Sequence, residues 1–307
     1  MRLLDVGPSY GELKGAAEEL YRRLAHAVEL SFAAVGPDRN ETGTSAGRAI
    51  SPVEAAQCVL DYARTAAFLR GVLTALRAAR GRFPGTLEVV YAGTGPFATL
   101  LLPLLPRLAP PGLRVTFIDV HERSTAAVSR LVAALGVSHA VARVVTADAA
   151  AYRHGSGIHV AITETMQRAL ENEPQVAVSR NLAAQLAPGG ILVPERISVH
   201  LGLWSPGQPR GGENRQVELL ELRSDVEGGM APVFGAGLVV AVPRPRGSEA
   251  LALLTRVGVF GRHRLGVNDS AITLPRVMPS LLARAGHLVR VRYAGNARPG
   301  FVFGPVH

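Results

Sequence analysis

Between residues 86 and 164 the chain alternates short, continuously apolar runs with longer stretches whose apolar positions recur at helical spacing. The runs LEVVYA (87–92), LRVTFID (113–119), ARVVTAD (142–148) and IHVAITE (158–164) read as strands, and residues 96–108, 123–135 and 174–186 as helices. Strands that are apolar on both faces need helices covering each side. Their alternation with helical stretches predicts an α/β fold built on a doubly wound, Rossmann-like parallel sheet. LAPGGILVPERISVHLGLW, from Leu186, adds one or two further strands.

On either side of this core the pattern changes. Residues 12–34 place Leu20, Leu24, Val28 and Leu30 at helical spacing. After the polar loop VGPDRNETGTSAGRAIS, a second helix is expected to run from Ser51 to the stop at RFPG. Ser51 is its N-cap, Pro52 stands at the first helical position, and Glu54 completes a capping box. Beyond residue 205 the runs LVVAVP, LTRVGVF, AITLP and HLVRVRYAG read as short β segments split by Pro and Gly. The expected organisation is an N-terminal helical segment or lid (1–80), an α/β domain (81–200) and a β-rich module for substrate or dimerisation (201–307).

Composition narrows the classes of partner. The 307 residues are 48% apolar and 19% charged, enough for one large core and an appended module. The net charge of +9 raises the question of nucleic acid. Lys14 is the single lysine, however, and the arginines are scattered, as in RSTAAVSR and RVGVFGRHR, without a basic stripe interleaved with aromatics. Nucleic acid is therefore not an expected partner. Cys58 is alone, which excludes an intramolecular disulfide and a Cys-rich metal site. The nine histidines form no compact ligand spacing, so no metal is expected, and His121, His159 and His263 are read as surface or satisfied core residues. The opening MRLLDVGPSYGELKG lacks the apolar core of a signal peptide, and no run of 18 apolar residues occurs. A cytoplasmic protein without a membrane partner is the expectation.

Candidate chemistry gathers at the strand ends, where open α/β sheets bind ligands. The first strand runs into AGTGPF, with Gly93 and Gly95 free to bring backbone close to a ligand. The second ends at Asp119, the third at Asp148 and the fourth at Glu164. An acid in the position of Asp119 can accept both hydroxyls of a ribose, and Asp148 can accept from an adenine amino group. Together they point to an adenosine-containing cofactor, either a dinucleotide or S-adenosylmethionine. GTGPFA satisfies the loose GxGxx(G/A) pattern of the former, so both remain open.

Further elements carry a resemblance. Asp61, Arg64, Thr65 and Phe68 form a D-x-x-R-T element followed by an aromatic. TETMQRALENE places Glu164 and Glu173 nine positions apart, and LAPGGILVP follows at 186–194. With the glycine turn and Pro96, this order resembles the protein arginine methyltransferase family of class I S-adenosylmethionine-dependent methyltransferases, over roughly residues 51–200. The resemblance implies S-adenosylmethionine as cofactor. It implies Arg64 on the methionine carboxylate, Gly93 and Gly95 beneath it, Asp119 on the ribose, Asp148 near the adenine, and a possible homodimer. Glu164 and Glu173 would be the catalytic pair.

Physical chemistry gives that pair a sense of its own. Transfer of a sulfonium methyl group is an in-line displacement governed by positioning and electrostatics. Two carboxylates can grip a planar guanidinium or orient an ammonium. Held close they repel, and one rises in pKa unless a cation lies between them. The chain lacks the aromatic-rich motif ending in Trp that the family carries beyond this domain; Trp204 lies too early. A small amine- or guanidine-bearing molecule is therefore the expected acceptor. A protein or peptide arginine, a non-catalytic cofactor-binding role and transfer of another arm of the sulfonium stay open.

Overall fold

The computed structural model of the chain describes residues 2–5, 7–28, 41–108, 112–205, 216–224, 237–295 and 297–306. Helix α1 is Tyr10–Ala27, begun by Ser9, whose capping box with Glu12 satisfies the first orphan amides. The rest of the helix expected to residue 34 lies outside the described residues. Part of the polar stretch that follows is a short hairpin, β1 (Thr42–Thr44) and β2 (Gly47–Ala49).

The helix expected from Ser51 is two helices. The Ser51, Pro52 and Glu54 start is as expected for α2 (Pro52–Gln57), but a 3₁₀ turn at Cys58–Leu60 and Asp61 interrupt it. Asp61 leaves helical geometry, and its side chain caps α3 (Tyr62–Arg82) by accepting from the Arg64 amide. The Thr65 hydroxyl donates to the freed carbonyl of Val59 at 3.0 Å. The break turns Arg64 inward, and it is buried.

Strands β3 (Leu87–Ala92), β4 (Leu113–Asp119), β5 (Val141–Thr146), β6 (Ile158–Thr163) and β7 (Leu186–Val193) form one parallel sheet in the order β5-β4-β3-β6-β7. Helices α4 (Glu122–Ala134) and α5 (Gln175–Ala183) cover it, α4 on β4 and β5, α5 on β6 and β7. The fold is thus an α/β, Rossmann-like sheet, as the alternation predicts. The sheet's inner strands are buried over most of their length and fully so at their carboxyl ends, whereas β5, at the edge, stays half exposed. The helix expected at 96–108 is absent. Turns lead instead into a 3₁₀ segment, Leu102–Arg107, because Pro103 and Pro106 lack the N–H a helix needs and crowd the preceding turn.

The C-terminal region is β-rich. Strands β8 (Arg196–Trp204), β9 (Val217–Arg223), β11 (Ala250–Phe260) and β12 (His263–Leu265) form an antiparallel sheet in the order β12-β11-β8-β9, with β13 (Arg276–Val277) also paired to β11. A second antiparallel sheet joins β10 (Leu238–Ala241), β14 (Leu288–Ala294) and β15 (Gly300–Gly304) in the order β10-β14-β15. AITLP is not the expected strand but a 3₁₀ turn at Ala271–Thr273, fixed by a capping box from Ser270. Helix α3 packs on β6 and β7 with one side and on β11 and β12 with another, which ties the two regions together.

Candidate functional site

The sheet reverses its winding at β3, with β4 on one side and β6 on the other, and the main cavity opens beyond the carboxyl ends of these strands. It has a volume of about 550 Å³. Arg64, Gly93, Gly95, Asp119, Asp148, Glu164 and Glu173 all line it, so the seven residues singled out in the sequence share one chamber.

One end is built by the turn after β3. Gly93 and Gly95 have φ of 73° and 55°, values that L side chains rarely adopt. A Cβ on Gly93 would collide with Thr165 Cγ2, and one on Gly95 would stand 3.1 Å from Ala55 Cβ. The Gly95 amide donates to Asp119 Oδ2 at 2.8 Å and the His121 amide to Oδ1 at 2.9 Å. Burial holds the Asp119 carboxyl above its ordinary range, although these amides pull the other way. The Thr94 hydroxyl is buried here without a partner, a polar atom left for a ligand to satisfy.

Asp148 sits at the cavity's flank. It accepts from the Ser45 amide at 2.8 Å and the Ala150 amide at 2.9 Å. Burial raises its pKa, but the hydrogen bonds from Ser45 and Ala150 outweigh that and the net shift is downward. The same hairpin is fastened elsewhere. His121 contacts the Ile50 carbonyl through Nε2 at 2.9 Å and Thr42 Oγ1 through Nδ1 at 3.3 Å, and the Arg48 amide donates to the Asn172 carbonyl at 2.8 Å. A Cβ on Gly47 would lie 2.7 Å from that Asn172 oxygen. Residues 42–50 therefore strap the cavity from the end of β4 to the loop after β6. By its sequence this stretch is an ordinary polar loop and His121 a surface or satisfied core residue, yet both belong to the cavity wall; the position of His121 two residues past Asp119 is the available signal.

At the other end lie the two glutamates. Glu164 is 8% exposed and forms an ion pair with Arg64, whose Nη1 also donates to the Cys58 carbonyl at 3.2 Å. Glu173 is 7% exposed, and burial pushes its carboxyl up to about 7, against a hydrogen bond from Gln167 and the nearby charge of Arg64. The loop between them is strained: Ala169, Leu170 and Asn172 have φ of 57°, 55° and 63°. The β-rich region holds it in place. Thr255 Oγ1 accepts from the Ala169 amide at 2.9 Å, Tyr293 donates its hydroxyl to the Leu170 carbonyl at 2.6 Å, the Asn172 amide donates to Pro299 at 2.9 Å, and Arg276 pairs with Glu171 at 2.9 Å. Asp61 is tied to the same region, since Ser270 Oγ and the Ala271 amide donate to its Oδ2 at 2.7 and 2.8 Å.

Among the described residues no group of three or more His, Cys, Asp or Glu could hold a metal ion, and no helix is long and apolar enough to cross a membrane. His159 stacks on Phe83 at 4.2 Å, and His263 meets Thr74 at 3.1 Å, as structural histidines do.

The fold and the cavity define the class: a Rossmann-like α/β domain with a β-rich C-terminal region and a ligand chamber at the strand ends. No protein-family description matches the sequence, and no curated protein does either. Solved structures do match. One is the Trypanosoma brucei PRMT1 enzyme–prozyme heterotetrameric complex with AdoHcy, 12% identical, covering 78% of this chain and 86% of that one at a TM-score of 0.48. At that distance the likeness transfers no chemistry, and the fold rests on the strand order given above.

Proposed function

We propose that the protein is an S-adenosylmethionine-dependent N-methyltransferase acting on a small molecule that bears an amine or guanidine. One observation carries the reading. A single cavity has a glycine turn and a ribose-type acid, Asp119, at one end and the Arg64–Glu164 pair with Glu173 at the other. Its volume of about 550 Å³ lies within the roughly 300–1,000 Å³ typical of small-molecule sites. The unpartnered Thr94 hydroxyl and Arg64 Nε fit a polar ligand that passes from the turn to the arginine.

Gly93, Gly95 and Asp119 would hold the nucleoside, and Arg64 the carboxylate at the far end of the cofactor. Such a cofactor supplies a sulfonium methyl group, whose carbon–sulfur bond breaks with the electron pair left on sulfur as the acceptor nitrogen forms its new bond to carbon. Glu164 and Glu173 orient that nitrogen. With a pKa of about 7, Glu173 is matched to take up the proton that nitrogen releases. The loop of positive-φ residues fixes both carboxyl groups before the acceptor arrives, so little ordering is left for the reactive complex.

Titration calorimetry with S-adenosylmethionine, with NAD in parallel, tests the cofactor. Saturable one-site binding of the sulfonium alone is expected. Binding of NAD instead would reassign the glycine turn to a dinucleotide and end the methyl-transfer reading.

A further inference from the structure

A second cavity, of about 260 Å³, meets the first at Glu173. Three distant parts of the chain build it: Glu41 and Arg48 from the N-terminal hairpin, Gln167 and Asn172 from the loop between the glutamates, and Arg298 from the turn between β14 and β15. The pieces are locked together by backbone, since Asn172 accepts from the Arg48 amide and donates to the Pro299 carbonyl. Glu173 and Gln167 belong to both chambers, so a molecule filling the second one presents its inner end to Glu173.

The charges along this passage are ordered. The inner end holds the buried carboxyl of Glu173. The exposed mouth holds two guanidiniums, Arg48 and Arg298, and one carboxylate, Glu41; Glu41 pairs with Arg48 at 2.8 Å, and Arg298 is engaged in an interaction of its own. Exposed pairs of that kind bind weakly and re-partner readily, whereas an arginine facing an incoming carboxylate gains a two-pronged, charge-assisted grip. The complementary ligand carries a cation at its inner end and, at its outer end, one anion beside one cation. The volume falls below the roughly 300 Å³ lower bound for drug-sized ligands.

We propose that the acceptor is a free basic amino acid. Its side-chain nitrogen lies at Glu173, its α-carboxylate between Arg48 and Arg298, and its α-ammonium at Glu41. The inference rests on the methyl-transfer reading and narrows it. A residue within a polypeptide lacks both α-charges and would leave the mouth unmatched.

Calorimetry on the full chain saturated with S-adenosylhomocysteine provides the test. L-arginine and L-lysine are titrated beside agmatine and cadaverine, their decarboxylated counterparts. One amino acid is expected to saturate a single site, with its decarboxylated partner at least about tenfold weaker, because a site built for a charged group rejects the analogue without it. Arg48→Gln and Arg298→Gln should each weaken the amino acid about tenfold and leave the decarboxylated amine no weaker than before. Both positions are exposed, and an unchanged melting temperature verifies that the variants fold. Equal binding of an amino acid and its amine, or silence from both amino acids while S-adenosylhomocysteine binds, overturns the inference and spares the reading beneath it. Failure of S-adenosylhomocysteine itself brings down both.

Discussion

At the scale of single residues, the two glutamates differ in what they face, and the difference is measurable. Glu164 has a buried cationic partner in Arg64, whereas Glu173 has burial acting against its charge. Replacing Glu164 by Gln leaves Arg64 buried beside a neutral amide. Breaking a buried pair costs about 3–5 kcal/mol, and the amide's remaining hydrogen bond places this change near the lower bound. Turnover should be abolished, while S-adenosylmethionine still binds through the glycine turn and Asp119; undiminished turnover in Glu164→Gln would remove it from the mechanism. For Glu173 the relevant variable is pH. Its carboxyl is shifted from an ordinary 4.5 to about 7, so between those values the folded protein holds a proton that the unfolded chain has released. Its contribution to stability is therefore present below 4.5 and lost as pH rises to about 7. The loss amounts to about 3 kcal/mol, and Glu173→Gln should flatten the stability profile over that window in chemical denaturation. For activity, the same residue must be ionised to grip a cation. The value of kcat/KM should then fall as pH drops through about 7, and a profile flat from pH 5 to 8 would place the grip elsewhere.

At the scale of elements, the loop 164–174 is held from several sides, and the β-rich region supplies four of its bonds, at Ala169, Leu170, Glu171 and Asn172. Tyr293→Phe removes the hydrogen bond to the Leu170 carbonyl, which should cost about 1–2 kcal/mol of stability. The acceptor's KM should rise while cofactor affinity stays unchanged, and a loss of cofactor affinity in titration would contradict this division of labour. None of that support was legible in the sequence. Tyr293 lies in HLVRVRYAG, more than a hundred residues from the glutamates, and only the tertiary packing of β14 against the loop, seen in its bond to Leu170, brings it near. What could be read were features set by local chemistry: the four strands, three of them with largely buried apolar runs and the fourth, β5, with β-branched residues at a half-exposed edge, and the start of α2, where Ser51, Pro52 and Glu54 act within one turn. The break at Asp61 escaped because an apolar periodicity runs on through it, while the competing bonds from the Arg64 amide and Thr65 Oγ1 decide the geometry. The hairpin at 42–49 escaped for a different reason. It has too few apolar residues to leave a period, and it is held by partners on Asp148, His121 and Asn172.

At the scale of the whole molecule, α3 is the shared wall between the parallel sheet and the C-terminal sheet, and Gly71 lies against Val259 and Phe260 of β11. A Cβ there would collide with Val259 Cγ1 on β11. Two effects oppose each other in Gly71→Ala. Alanine favours a helix interior by about 1 kcal/mol over glycine, while overpacking a tight contact costs about 1–3 kcal/mol. Both Gly71 and Val259 are buried, and the clash falls on the first branch of the valine rather than on a flexible end, so overpacking should win and the melting temperature should fall. Val259→Ala alone should also destabilise, by about 2 kcal/mol, because it opens a void in the same contact. In the double variant each change relieves the other: the new methyl occupies the space the valine vacated, and the helix keeps its gain. The two losses should therefore be strongly non-additive, with a coupling of at least about 1 kcal/mol in the favourable direction. Simple additivity would mean that α3 and β11 do not meet at this glycine. Because Arg64 stands two helical turns earlier on α3, a shift at this wall should also displace its guanidinium, the group assigned to the cofactor's carboxylate, and S-adenosylmethionine affinity should drop in Gly71→Ala and recover in the double variant.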